Sequence, residues 1–334
     1  MDAIRFPIGI SLVENLVRFV EIDEKTLRTL SFHDRRYLAG PAVEIFEDTF
    51  PQVSELCADP DLKHKDAAYI FHTAFCGSTL LARALDAPGC RLLLKEPEIL
   101  TDLARHAWQD TDRKYRASVV KTVHRLLSTV APSNADLVIK AHNGCLNLIS
   151  EILLATEAQP NSAILLFSPL EDFLASVLPD EPRRQWVRRQ LTQFHRSGPP
   201  NNVAISGLTD GQSAALLWAS HLDDHRRAIN SGFHVPVLRS THFYGDPSSG
   251  LLQVSRSLGL GMSPSECDAI AQSTIFAHHS KTGGPYTNSE RETDFQRSRQ
   301  SCQADIDAAV VWLQSDKELR ELYEWPPRNL SLLG

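Results

Sequence analysis

The amino-acid sequence predicts an α/β protein: a doubly wound parallel sheet flanked by helices, preceded by an N-terminal extension. Short apolar runs of strand length, nearly free of charge, recur at 69–73, 91–94, 136–141 and 163–167, as suits strands covered on both faces. Between them lie stretches whose apolar residues recur at helical spacing. Strands alternating with helices are the signature of a parallel sheet. The chain shows no internal repeat and no low-complexity tract.

Residues 1–66 form the extension, where alternation around Leu16–Val20 predicts one or two strands and a helix. The mixed run Ser31-Phe32-His33-Asp34-Arg35-Arg36-Tyr37 reads as a surface helix start, or else as part of an acceptor pocket. The main domain spans 67–334. Tyr69–Thr73 opens it as a buried strand, and Leu80, Leu81, Ala84 and Leu85 make the next helix. Arg91–Leu94 is a second strand, and Pro97 starts a helix through His106 as a first-turn proline can. An amphipathic helix over 114–130, a strand at Asp136–Ala141 and a helix after Gly144 follow. Ser162–Phe167 is a further strand, with a helix from Pro169 to Leu178. Helices at 182–196 and 211–230, a last strand at Val235–Leu238 and a helical tail complete the order.

Composition excludes several classes. With 334 residues the chain builds a full core, and 42% hydrophobic with 22% charged residues is ordinary for a globular protein. A formal charge of −7 leaves no global basic field for nucleic acid or an acidic membrane. No stretch approaches the ~20 apolar residues of a membrane span. Six cysteines without a Cys-x-x-Cys pair argue against a zinc site and a disulfide scaffold. A reducing cytoplasm fits them, and the Asp2-bearing N-terminus lacks the apolar segment of a secretory signal.

The chemistry concentrates at 69–98, YIFHTAFCGSTLLARALDAPGCRLLLKEPE. Gly77, Ser78 and Thr79 stand where a strand gives way to a helix. There the unpaired amides and the positive dipole end hold phosphate or sulfate oxygens; an ordinary N-cap is the plain alternative. A nucleotide triphosphatase loop needs G-x-x-x-x-G-K-[ST]. Here Ser78 follows Gly77 and His72 replaces the first glycine, while neither 137–140 nor 163–167 ends in an aspartate for Mg²⁺. ATP hydrolysis is disfavoured.

This loop, the helix after it and Lys95-Glu96-Pro97 resemble the 5′-phosphosulfate loop of P-loop-type sulfotransferases that use 3′-phosphoadenosine 5′-phosphosulfate (PAPS). The resemblance runs in order over about 69–285. It implies PAPS as co-substrate without a metal, a 5′-phosphosulfate site at Cys76, Gly77, Ser78, Thr79 and Leu80, and a small-molecule or peptide hydroxyl (or amine) as acceptor. Glu96 falls where some members keep a catalytic carboxylate, and Lys140-Ala141-His142 resembles the Lys-x-His that supplies a catalytic histidine in others. Either Glu96 or His142 is then the base; otherwise Glu96 caps a helix and His142 is a loop residue. Lys140 either meets phosphate or reaches out of the sheet, and Lys95, pointing away from Glu96, is read as a surface residue. Residues 168–176 resemble the 3′-phosphate motif Arg-x-x-x-Asp-x-x-x-Ser, with Ser176 as its serine, and a loop with Lys281, Gly283 and Gly284 resembles the cover over that phosphate. Two of the family's cations are replaced, by Phe75 and Ser168. Arg183, Arg184, Arg188 and Arg189 form a basic face on the next helix, read as a solvated face or else as a substitute for the cation missing at Ser168. The alternatives are a decayed binding or scaffolding module, or a nucleotide-dependent phosphotransferase.

Overall fold

The structure, a computed structural model, describes residues 3–40, 43–87, 89–106, 112–156, 162–194, 203–278 and 288–325. Five strands form a parallel sheet: β4 (Ala67–His72), β5 (Arg91–Lys95), β6 (Asp136–Lys140), β7 (Ala163–Phe167) and β8 (Val237–Arg239), in the order β5-β6-β4-β7-β8. All residues of β4, β5 and β7 are buried. Helices cover both faces, which explains why these runs are continuously apolar instead of alternating. The chain leaves β4 for β5, steps back to β6, and then crosses β4 to reach β7. That reversal puts a crevice at the carboxyl end of β4, where open α/β sheets bind ligands.

The N-terminal residues build more than one or two strands. β1 (Ile4–Ser11), β2 (Leu16–Ile22) and β3 (Phe46–Thr49) form an antiparallel sheet, with helices at Glu24–Thr29, Arg35–Leu38 and Phe50–Ala58. Phe6, Ile8, Val17 and Phe19 share one buried core with Tyr69, Leu92 and Leu94 of the parallel sheet. The small sheet rests on helix Glu98–Arg105: the Ile10 amide donates to Asp102 Oδ2 at 3.0 Å, and Arg35 pairs with the same oxygen at 2.5 Å. Because Leu94 is fully buried in that joint core, Leu94→Ala is expected to cost about 3 kcal/mol. The checking measurement is a fall in the urea midpoint at unchanged slope.

Several sequence expectations are corrected. Lys95 is not a surface residue. It is buried, and its Nζ donates to the Arg28 and Leu30 carbonyls at 2.5 and 3.0 Å. His33 locks the same junction: Nε2–H donates to the Leu27 carbonyl at 2.9 Å while Nδ1 accepts the Lys95 amide at 3.0 Å. Pro97 is the N-cap, not the first helical residue, of Glu98–Arg105. Residues Asn143–Leu148 form a tighter 3-10 turn before helix Ile149–Ala155, since the His142 side chain caps Gly144 and shortens the first turn.

Candidate active site

The loop between β4 and helix Ser78–Leu85 takes a left-handed path: Ala74, Phe75 and Gly77 have φ of 67°, 49° and 84°. Its rim is fixed from behind, because the Thr73 amide donates to the Leu166 carbonyl at 3.2 Å and Thr73 Oγ1 accepts the Ser168 amide at 3.2 Å. The first bond inside the helix runs from the Leu81 amide to the Gly77 carbonyl at 3.0 Å, and no side chain caps the helix. Among the described residues, the amides of Gly77, Thr79 and Leu80 therefore donate to no backbone acceptor, while the Ser78 amide meets the Cys76 thiol, and such a helix start is the anion-receptive condition. Glycine at 77 has two causes. Its φ is positive, and a Cβ would stand 2.5 Å from the Tyr244 hydroxyl oxygen.

Gly77, Ser78 and Thr79 line one cleft of about 890 Å³ with Glu96, His72 and His142. These side chains come from the carboxyl ends of β4, β5 and β6, as the crevice rule requires. Glu96 sits just past β5 with φ 57°, and its amide donates to the Lys140 carbonyl at 2.7 Å. This turn carries Glu96 into the cleft while Lys95 points to the opposite side. The Nζ of Lys140, at the end of β6 and 1% exposed, donates to Glu96 Oε1. Burial alone would raise the Glu96 carboxyl; Lys140, His72 and His142 overcome it and hold the group well below the usual carboxylate range.

The two histidines have fixed tautomers. His72 Nδ1 accepts the Ala74 amide at 3.1 Å, and His142 Nδ1 accepts the Gly144 amide at 3.1 Å. A neutral ring whose Nδ1 lone pair takes an N–H carries its own proton on Nε2. Burial keeps both rings neutral, lowering His72 to about 4 and His142 below its ordinary value. Each thus offers a donor at Nε2, whereas Glu96 offers a lone pair.

Helix Glu181–Phe194 closes the cleft on the loop side with Arg183, Trp186, Arg189, Gln190 and Gln193. The basic face expected at 183–189 is divided. Arg184 and Arg188 turn away to Glu181 and Asp210, while Arg183 and Arg189 face the cleft. The Phe75 ring packs edge-on against Phe173 and Trp186, at 5.9 and 5.3 Å, instead of capping the amides. The Arg183 guanidinium lies 5.5 Å over that ring, so a cation returns through space to the position where the chain has phenylalanine. Ser168 does not reach the cleft. Buried, it braces the loop by donating to the Phe75 carbonyl at 3.4 Å.

The structure brings Gly77, Ser78, Thr79, Glu96, His142 and Ser176 to one cleft, with Lys140 directly behind Glu96. Cys76 and Leu80 turn their side chains into the core, and burial pushes the Cys76 thiol up to about 11. Ser176 Oγ donates to the Asp172 carbonyl at 2.9 Å. Lys281, Gly283 and Gly284 lie outside the described residues. Sequence reasoning missed His72 and Tyr244. It left Phe32, Asp34, Arg35 and Arg36 between two readings, and the structure puts all four on the cleft wall facing helix Glu181–Phe194. Among the described residues no three His, Cys, Asp or Glu side chains are grouped as a metal ion would need, and no helix is long and apolar enough to cross a membrane.

No family model matches the chain, and no curated protein sequence does. A solved structure, the "Sulfotransferase Domain from the Curacin Biosynthetic Pathway", aligns with 72% of this chain and 98% of its own at 14% identity and a TM-score of 0.41. That likeness is too distant to assign a family or an activity.

Proposed function

We propose that this cleft transfers a sulfuryl group from PAPS to a hydroxyl or amine of a small-molecule or peptide acceptor, with Glu96 as the base. The observation that carries the reading is the helix start at 77–79, where the Gly77 and Thr79 amides have no backbone acceptor and the Ser78 amide meets only a thiol, opening on the same cleft as an ionised carboxylate. Three groups fit the donor's charge. The loop amides suit the 5′-phosphosulfate, Arg183 stands beside Phe75, and the Ser176 hydroxyl suits the 3′-phosphate. In the transfer the acceptor oxygen forms its bond to sulfur as the sulfur–oxygen bond to the bisphosphate breaks. That electron pair leaves on the phosphate, and the acceptor proton passes to Glu96. Since Lys140 takes Oε1 and, among the described residues, no hydrogen bond or ion pair reaches Oε2, the proton goes to Oε2. A carboxylate of lowered basicity removes it only as the acceptor's bond to sulfur develops. His142, with its proton on Nε2, serves as a donor in this scheme, which favours Glu96 over His142 as the base.

Thermal melting with adenosine 3′,5′-bisphosphate tests the donor site. Ligand at 100 times Kd is expected to stabilise the protein by about 2.7 kcal/mol, and ATP with Mg²⁺ by much less. A shift seen only with ATP and Mg²⁺ would move the reading to a phosphotransferase. Phe75 and Ser168, standing where the resemblance expects cations, favour a decayed binding module; bisphosphate binding with no sulfuryl transfer to any acceptor would establish that instead.

A further inference from the structure

The base and the anion loop are joined through one imidazole. His72 is the last residue of β4 and 4% exposed. Its Nδ1 is held by the amide of Ala74, a loop residue in the left-handed region. Its Nε2 is buried with no hydrogen-bond partner and stands 3.6 Å from Glu96 Oε1, just beyond bonding distance. A buried donor without an acceptor is costly, so it persists where something uses it. Lys140 meets the same oxygen. Both donors converge on Oε1.

We propose that His72 is a positioning residue for the Glu96 base: its Nε2–H and the Lys140 ammonium hold Oε1, leave Oε2 facing the acceptor, and tie the carboxylate's orientation to the loop through Nδ1 and Ala74. This rests on the transfer reading for what Oε2 does, but the coupling itself does not depend on turnover. Filling the loop amides with an anion draws Ala74 and the ring together, and the Nε2–H closes the remaining gap to Oε1. The base is thus aligned when the donor is seated.

The other charged groups around the pair do not remove the need for His72. Glu96 is faced by Lys140 from β6, by His142 and Cys145 beyond it, and by Arg36 from the N-terminal region. His72 is faced by Lys140, His142 and His221 besides Glu96. Of these Lys140 alone bonds to Oε1; His221 meets the loop backbone at Thr73 but is not among the groups acting on Glu96.

Two isosteric variants separate the two ends of the ring. In His72→Asn the amide oxygen keeps the Nδ1 position and accepts from Ala74, but the distal donor is lost. In His72→Gln the amide NH₂ keeps the Nε2 position, and the loop contact is lost. Carbon-detected NMR of the Glu96 carboxyl should show its titration midpoint rising by about one pH unit in His72→Asn and staying near wild type in His72→Gln. Turnover should fall about tenfold in His72→Asn with the acceptor KM unchanged, and recover in His72→Gln. In the wild type, imidazole ¹⁵N shifts should show a neutral ring protonated on Nε2, with that proton moving when adenosine 3′,5′-bisphosphate or inorganic sulfate is added. This needs no variant to fold. A proton on Nδ1, a charged ring at pH 7, or equal carboxyl midpoints in the two variants would overturn the proposal. If calorimetry shows the anion bound while the Nε2 proton stays still, the coupling fails and the transfer reading stands. If the carboxyl shift appears but no sulfuryl is transferred, the reading fails and the positioning role stands.

Discussion

Glu96→Gln is expected to lower kcat by 10²- to 10⁴-fold, the usual contribution of a positioned base, while adenosine 3′,5′-bisphosphate stabilises the variant as it does the wild type. The substitution keeps an oxygen for Lys140 and the shape of the side chain, but removes the lone pair that takes the acceptor proton. It also leaves Lys140, 1% exposed, without its counter-charge. Breaking a buried pair from one side costs about 3 kcal/mol or more, so turnover has to be compared well below the variant's melting temperature. His142→Asn is the matching control. Its ring has Nδ1 bonded to the Gly144 amide, so replacing it removes a donor and not a base. Equal losses in both variants would refute the assignment of roles, and an unchanged kcat in Glu96→Gln would remove the base altogether.

The pH dependence of the same reaction follows from the carboxylate. Its pKa lies below the ordinary 4.5, so the ionised form persists through neutral pH. The acid limb of kcat/KM is placed below pH 4.5, where the fold itself is failing, and a His142 base would instead give a limb set by an imidazole that burial lowers from 6.5.

The parts legible in the sequence are those set by local pattern. β4, β5 and β7 are uninterrupted apolar runs, and Gly77-Ser78-Thr79 marks a helix start whatever its use, so the crevice and its loop follow from neighbouring residues alone. Glu96 and His142 were singled out chiefly by the family resemblance, Glu96 by its spacing from Gly77 and His142 by Lys140-Ala141-His142, and both sit one or two residues past a strand end. What pattern does not encode is side-chain direction across long separations. Lys95 reads as a surface cation; only the docking of Arg28 and Leu30 over it supplies the carbonyls that make its burial tolerable. Arg183 and Arg189 are indistinguishable in sequence from Arg184 and Arg188. The local acids at 181 and 210 decide which pair turns outward. Tyr244 carried no signal, since a positive φ alone accounts for a glycine, as at Gly89 and Gly207 where nothing stands close, and nothing names a partner so far along the chain. His72 registered only as a departure from the nucleotide-loop pattern, because its meaning depends on a carboxylate that arrives from β5.

Acid unfolding near pH 5 is the largest stability effect expected, and it comes from five buried histidines, of which His72 alone stands beside Glu96. His33, His72, His124, His221 and His225 are all buried, with burial lowering them from 6.5 to about 3, 4, 4, 3 and 4. Burial away from water is why they resist a second proton, and their bonds to backbone carbonyls only partly offset it. His33 has both nitrogens committed, and His225 meets the Val235 carbonyl at 3.0 Å with its ring against Trp325. Each folded pKa lies below the unfolded one, so the unfolded chain binds more protons as pH falls from 6.5. The stability they confer is whole above pH 6.5 and drains away between there and 3 to 4. At pH 5 each has lost about 2 kcal/mol, at 1.36 kcal/mol per unit. Five together reach on the order of 10 kcal/mol, comparable to the whole stability of a domain. Asp86, Asp102 and Asp172 oppose this, since burial raises them: each is relieved of that cost as pH falls through its raised folded value toward 3.8, which offsets part of the loss. Far-UV circular dichroism on acid titration should therefore show cooperative loss of structure centred near pH 5. His225→Phe, which removes one titrating ring while keeping its contact with Trp325, should move the midpoint lower. A protein fully folded at pH 4, or a stability flat between pH 6.5 and 5, would mean that these rings take up protons in the folded state and are not held neutral by their burial.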